Sequence, residues 1–211
     1  MFTDRTIGLW QQKFPEEAKI IAKLLLGYTD MEFGLSLLLR AVIGDTITPI
    51  RVMYAIRSES ARINIADSLM RNKMKALSIS GLYRTTIAEM KFCTKIRNQL
   101  SHAYWNGIES RCLSFFDIEK IALSESDNPK IEFRYLSQCL LTSHENFFGY
   151  VDDLLTYLEK QYRHLALGEP EPDELVPKKE NRPKLYIPRD ELDSRLEAKD
   201  QPQPKTNHLV G

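Results

Sequence analysis

Lys95 to Tyr104 reads KIRNQLSHAY, and it places an Arg, an Asn, a His and a Tyr at the end of a run that otherwise repeats apolar residues at helical spacing. Arg97 carries a permanent charge on a planar fork that can bond one phosphate twice. His102 is the residue type that accepts and donates a proton near neutral pH. Asn98 can orient the imidazole or bond a phosphate oxygen. Tyr104 adds a hydroxyl and a ring on which a base can stack. These types suffice for cleavage of RNA by its own 2′-hydroxyl, with His assisting proton transfer and Arg stabilising the charge that builds on phosphorus. No step of that chemistry needs a metal.

Spacing limits how the residues work together. Five positions separate Arg97 from His102, a rotation of roughly 140° on a continuous helix. Arg97 shares a face with Ser101, and Asn98 shares one with His102. Arg97 and His102 therefore address one small target only if the helix distorts before His102, or if a second copy of the motif completes a common groove. A symmetric dimer supplies such a groove. The plainer reading is a cationic helix end, which the helix dipole favours in any protein.

The elements that must hold this motif follow from periodicity. Pro15, Glu16 and Glu17 open a helix that runs to about Ile43 and stops at Gly44-Asp45. Its inner stripe is Ile21, Leu25, Tyr28, Leu35, Leu39 and Val42, with the acid Glu32 on the same stripe. Thr48 as N-cap and Pro49 open a second helix reaching Arg71, with Val52, Ile56, Ile63, Ala66 and Met70 on one face and Glu59 falling there too. A third helix starts near Ser78–Gly81, and its stripe of Ile87, Met90, Thr94, Arg97, Ser101 and Tyr104 turns polar before Asn106-Gly107 ends it. Residues 111–115 and 130–134 alternate like strands around the turn signal Asp127-Asn128-Pro129, which predicts a β-hairpin within 108–134. Residues 135–166 return to helix through Leu136, Leu140, Ser143, Phe147, Tyr150, Leu154 and Tyr157. The expected fold is thus mainly all-α, an antiparallel four-helix bundle with a small inserted β-hairpin between its third and fourth helices.

From Gly168 the pattern changes. Seven of the ten prolines lie in 168–211, mixed with ten acidic and eight basic residues. Residues 1–167 are read as the folded domain and 168–211 as a solvated, disordered tail, with Leu185-Tyr186-Ile187 as an island able to dock on the body or on a partner. The 211 residues are 43% hydrophobic and 27% charged with zero formal net charge, as in a water-soluble globular domain. No apolar run reaches the ~18 residues of a membrane span, and MFTDRTIGLWQQ lacks a signal-peptide layout. A cytoplasmic protein is expected. Cys93, Cys112 and Cys139 are too dispersed for a zinc site and read as small buried hydrophobes, and no cofactor is called for.

Charge is uneven along the third helix and its approach. Arg71 to Arg97 holds seven basic residues against the one acid Glu89, a surface suited to a polyanion or simply a solvated face. Arg84, Lys91 and Lys95 are the expected RNA-backbone contacts. Glu32 and Glu59 are acids on apolar faces and need partners. One of them can orient Arg97 or His102, or they can bond Arg57 or Arg62. His144, His164 and His208 have little local context.

Arg97-Asn98-Gln-Leu-Ser101-His102 resembles the Arg–polar–x3–His motif of HEPN domains, the higher eukaryote and prokaryote nucleotide-binding superfamily. The helix layout of residues 16–166 resembles it too. The resemblance implies a dimeric helical bundle and a metal-independent endoribonuclease, of the kind found in toxin–antitoxin, abortive-infection and CRISPR systems. Arg97 and His102 would be its catalytic pair, brought together across the dimer, with Asn98 and Ser101 in support. Products would end in a 2′,3′-cyclic phosphate. His102-Ala-Tyr104 is further similar to HEPN toxins whose partner, a minimal nucleotidyltransferase antitoxin, adenylylates the Tyr. That likeness implies Tyr104 as a modification site and a cognate antitoxin as a partner. The hairpin and the proline-rich tail are additions to that compact pattern. Two other functions fit the same residues: a non-catalytic HEPN module that grips a nucleotide, RNA or a partner protein, and a structural helical bundle whose tail recruits a partner.

Overall fold

The computed structural model describes residues 9–45, 47–106, 112–126 and 129–192. A short α1 (Leu9–Lys13) leads into α2 (Pro15–Ile43), which Pro15, Glu16 and Glu17 open. Gly44 ends it at φ 80°, a left-handed conformation in which its N–H reaches the Arg40 carbonyl. Ile21, Tyr28, Leu35, Leu39 and Val42 are buried, and Leu25 is half-buried.

The expected second helix is two helices, α3 (Thr48–Ala55) and α4 (Glu59–Lys75). The break at 56–58 is closed by hydrogen bonds from the first turn of α4. Ile56 takes an extended conformation, and the Ser58 hydroxyl caps α4 by accepting from the Ala61 N–H at 3.4 Å. Arg62 donates to the carbonyls of Ile56 at 2.7 Å and Arg57 at 3.3 Å, acceptors that the end of α3 leaves open. Ile63, Ala66 and Met70 are buried as the shared face requires, whereas Val52 and Ile56 are half-buried and Met53 is buried instead. At the start of α3, Asp45 rather than Thr48 does the capping: its Oδ1 accepts from the backbone N–H of Ile47 at 2.8 Å and Thr48 at 3.3 Å.

α5 (Ser80–His102) ends two residues before its polar stripe does. Ala103 turns extended, so Tyr104 lies on a strand and not on the helix. β1 (Ala103–Asn106) pairs antiparallel with β2 (Leu113–Asp117), matching Tyr104 to Phe116 and Trp105 to Phe115. β2 then pairs antiparallel with β3 (Arg134–Leu136). The predicted hairpin is therefore displaced. Its first strand begins at Ala103, residues 118–122 form a short α6 (Ile118–Ala122), and only the end of the second expected strand is paired. Arg111, Asp127 and Asn128 lie outside the described residues. Cross-strand aromatic pairs stabilise the switch from helix to strand: the Tyr104 and Phe116 rings stack at 5.0 Å, and Trp105 lies 5.3 Å from Phe115.

α7 (Gln138–Leu167) starts on a Ser137 cap, whose hydroxyl accepts from the Leu140 N–H at 3.2 Å. It packs lengthwise on α2, while α4 and α5 lie against α2 and α5 also meets α7. Leu24, Leu35, Met70, Met90, Leu154 and Leu158 fill the space between them, and Leu113, Phe115 and Leu136 carry the core into the sheet. The chain is mainly helical, with one small three-stranded antiparallel sheet. None of the described helices is long and apolar enough to cross a membrane.

Beyond Gly168 the chain runs back over the body as a strap without regular helix to Pro188 and a helical turn over 189–192, where the sequence reading placed a solvated tail. Arg182 pairs with Glu89 at 2.5 Å and lies 5.2 Å from the Phe92 ring. The buried His144 imidazole donates from Nε2 to the Lys184 carbonyl at 2.7 Å. Gln99 donates to the Leu185 carbonyl at 2.8 Å. Ile187 is buried and exchanges two backbone hydrogen bonds with Tyr135 on β3, at 2.8 and 3.1 Å. The Leu185–Ile187 island thus docks on the body. Other strap residues, Leu175 among them, face solvent. Of the three cysteines only Cys93 is buried; Cys112 is half-buried and Cys139 exposed.

Candidate functional site

α5 sets the site because it changes character along its length. Its Met90, Cys93 and Ile96 are fully buried against α2 and α7, so the helix is held rigidly where it delivers its last turns. Arg97 leaves that end on the α4 side. Its Nη1 lies 2.9 Å from Glu59 Oε1 and donates to Asn98 Oδ1 at 3.1 Å. Its guanidinium sits 5.9 Å from the Tyr28 ring centre, and its side chain is 28% exposed. Tyr28 donates to Thr94 at 2.9 Å, since the Thr94 hydroxyl proton is directed to the Met90 carbonyl. Burial holds the Tyr28 phenol above its ordinary pKa.

Glu32 and Glu59 take different partners. Both Glu32 oxygens lie 2.6 Å from Arg62 Nη1, while Glu59 meets Arg97. Burial raises the Glu32 pKa, and the neighbouring Arg62 offsets this only in part. Tyr28, Glu32, Glu59, Arg62 and Arg97 thereby form one electrostatic cluster at the junction of α2, α4 and α5.

His102 is the last residue of α5 and faces elsewhere. Its Nδ1 lies 3.4 Å from Glu119 Oε1, both groups being exposed. It lines a groove of about 330 Å³ together with Lys95, Asn98 and Gln99 of α5, Phe115 and Asp117 of β2, Glu119 of α6, Arg134 of β3 and Leu185 of the strap. Arg97 does not line it. Within one chain, then, the cluster around Arg97 and the groove around His102 occupy different sides of α5, and Asn98 is the residue common to both. Ser101 is exposed and donates to the Asn98 carbonyl at 3.2 Å. Tyr104 is 44% exposed on β1.

The basic residues of α5 are ordered. Arg84, Lys91 and Lys95 are all exposed, and with Asn98 and His102 they fall at alternating helical spacings on one face. Among the described residues none of the three forms an ion pair. From Arg84 to His102 this row spans about 27 Å at 1.5 Å per residue, with no acid on it. A polyanion can follow it into the groove.

Several groove residues are invisible to a reading of KIRNQLSHAY. Glu119 reaches His102 only because the sheet register sets Ala103 opposite Asp117. Arg134 and Leu185 arrive from β3 and the strap. The sole local hint is an Arg inside the strand-like run 130–134. No protein family, curated protein or solved structure matches this chain.

Proposed function

We propose that the chain is a metal-independent endoribonuclease of HEPN type, built as a four-helix antiparallel bundle and active as a homodimer. The observation that carries this reading is the placement of KIRNQLSHAY: the motif terminates a helix whose inner face is buried, with His102 in an open groove at the end of a basic row that has no ion-pair partner among the described residues. Arg84, Lys91 and Lys95 hold the RNA backbone. The 2′ oxygen attacks phosphorus, the new P–O2′ bond closes a cyclic phosphate, and the P–O5′ bond breaks. His102 takes the 2′ proton, and the departing 5′ oxygen gains one from solvent or from the second copy's His102. Arg97 of the second copy stabilises the charge on phosphorus, which answers the separation of the two side chains within one chain. Glu59 orients Arg97, and Glu119 orients His102.

A toxin or anti-phage effector fits this chemistry. A cognate nucleotidyltransferase could then silence it by adenylylating the exposed Tyr104. The direct test is RNA cleavage in EDTA by the purified protein beside folded His102→Ala. Cleavage to 2′,3′-cyclic phosphate ends that vanishes with the imidazole is the expected result, and a chelator-sensitive activity overturns the reading. The Arg97–Glu59 pair favours one alternative, a non-catalytic module in which Arg97 is structural and RNA is bound without turnover.

A further inference from the structure

We infer that Arg134 is an RNA-phosphate contact in the groove beside His102, positioned by Tyr186 of the strap. The inference rests on the RNA reading above but not on cleavage. Arg134 comes from β3, the strand farthest from β1, and its side chain is 15% exposed. Its guanidinium carbon lies 4.6 Å from the Tyr186 ring centre. Backbone pairing of Ile187 with Tyr135 holds the strap in register beside it, so the ring and the guanidinium are fixed together.

The energetics of this side chain point to a ligand. Arg134 Nε is buried with no hydrogen-bond partner among the described residues. Its ion pair with Glu132 is long, at 3.7 Å, and that exposed carboxylate also meets Lys120 at 3.0 Å. A buried donor left unsatisfied costs about 1–3 kcal/mol, and a loose pair to a half-solvated carboxylate recovers little of it. An apolar side chain of similar length would fill the same space beside Tyr186 without that cost. What the guanidinium adds is a permanent charge on the groove wall, facing the α5 wall that carries Lys95, Asn98, Gln99 and His102.

The groove lining also holds two acids, each already engaged. Asp117 Oδ1 caps α6, accepting from the Lys120 N–H at 3.1 Å, and Glu119 lies against His102. Lys95 has no ion-pair partner among the described residues. An anion in the groove meets Lys95 and the Arg134 guanidinium, whose Nε is left without a hydrogen-bond partner among the described residues, and the volume of about 330 Å³ is at the small end of ligand sites, enough for one nucleotide unit.

The test uses the full chain and a 2′-O-methyl RNA oligonucleotide, which binds but cannot be cleaved through its 2′ oxygen. Fluorescence anisotropy across a salt series compares the wild type with Arg134→Met. The expected result is a weakening of roughly tenfold at low salt, with a slope of log affinity against log salt shallower by about 0.7. Arg134→Met should melt at or above the wild-type temperature. Tyr186→Leu keeps the charge and loses its support, so it should weaken binding less and leave the salt slope unchanged. Unchanged affinity and slope in Arg134→Met overturn the inference, as does a lowered melting temperature with binding intact. A wild-type chain that binds this RNA through Arg134 yet cleaves no RNA would sustain the inference and end the ribonuclease proposal. Cleavage with binding indifferent to Arg134 would do the reverse.

Discussion

Arg97 and His102 lie five positions apart on one helix, yet their surroundings differ. Arg97 is tied to Glu59 and lies over Tyr28, next to the buried Glu32–Arg62 pair. Removing it leaves Glu59 facing the already crowded negative charge of Glu32. His102 is exposed and, among the described residues, pairs with a solvated carboxylate. Arg97→Ala should therefore lower stability by about 1–2 kcal/mol, read as a fall in urea midpoint. His102→Ala should stay within about 0.5 kcal/mol of wild type. The ordering matters for interpreting activity: loss in His102→Ala reports on chemistry, whereas loss in Arg97→Ala must be read beside its stability.

At the scale of elements, the strap is held to α7 by a group that titrates. Burial depresses the His144 pKa below its ordinary value; its Nε2 serves the Lys184 carbonyl, and its Nδ1 has no partner among the described residues to receive a second proton. Below the ordinary value the unfolded chain binds a proton at His144 that the folded chain refuses. Stability contributed by the neutral imidazole is thus present above that value and lost as pH falls from it toward the depressed one. Urea midpoints between about pH 7 and pH 5 should fall more steeply for the wild type than for His144→Gln, whose amide keeps a donor for Lys184 and cannot titrate. Equal slopes would show that His144 is already free to take its proton in the folded chain.

For the whole molecule, the separation of Arg97 from His102 within one chain makes dimerisation a requirement of the proposed chemistry. Arg97→Ala and His102→Ala proteins should each be inactive alone. Mixed and allowed to exchange subunits, they form heterodimers with one complete composite site. Activity should return to about a quarter of wild type at random pairing, because half of the dimers then carry one good site of two. A mixture that stays dead despite exchange, followed by a label on each variant, would rule out a site shared in this way.

Local signals in the chain were enough to bound α2, since Pro15, the first-turn acids and Gly44 act within a few residues of the ends they set. The same holds for the apolar face of α5, whereas residues 135 and 136, read as the start of the last helix, belong to β3, and α7 begins only at Gln138. They were enough, too, to mark Glu32 and Glu59 as acids in need of partners, because an apolar stripe leaves a carboxylate no solvent of its own. Which cation each acid meets depended on the packing of α2, α4 and α5. The end of α5 at His102 depended on strand pairing with residues eight to fourteen positions away. Arg134, Glu119 and Leu185 come to the groove through the sheet register and the docked strap. Such juxtapositions leave no periodic trace along the chain, because long-range pairing is stabilised only once distant segments have packed, and that arrangement belongs to the tertiary structure alone.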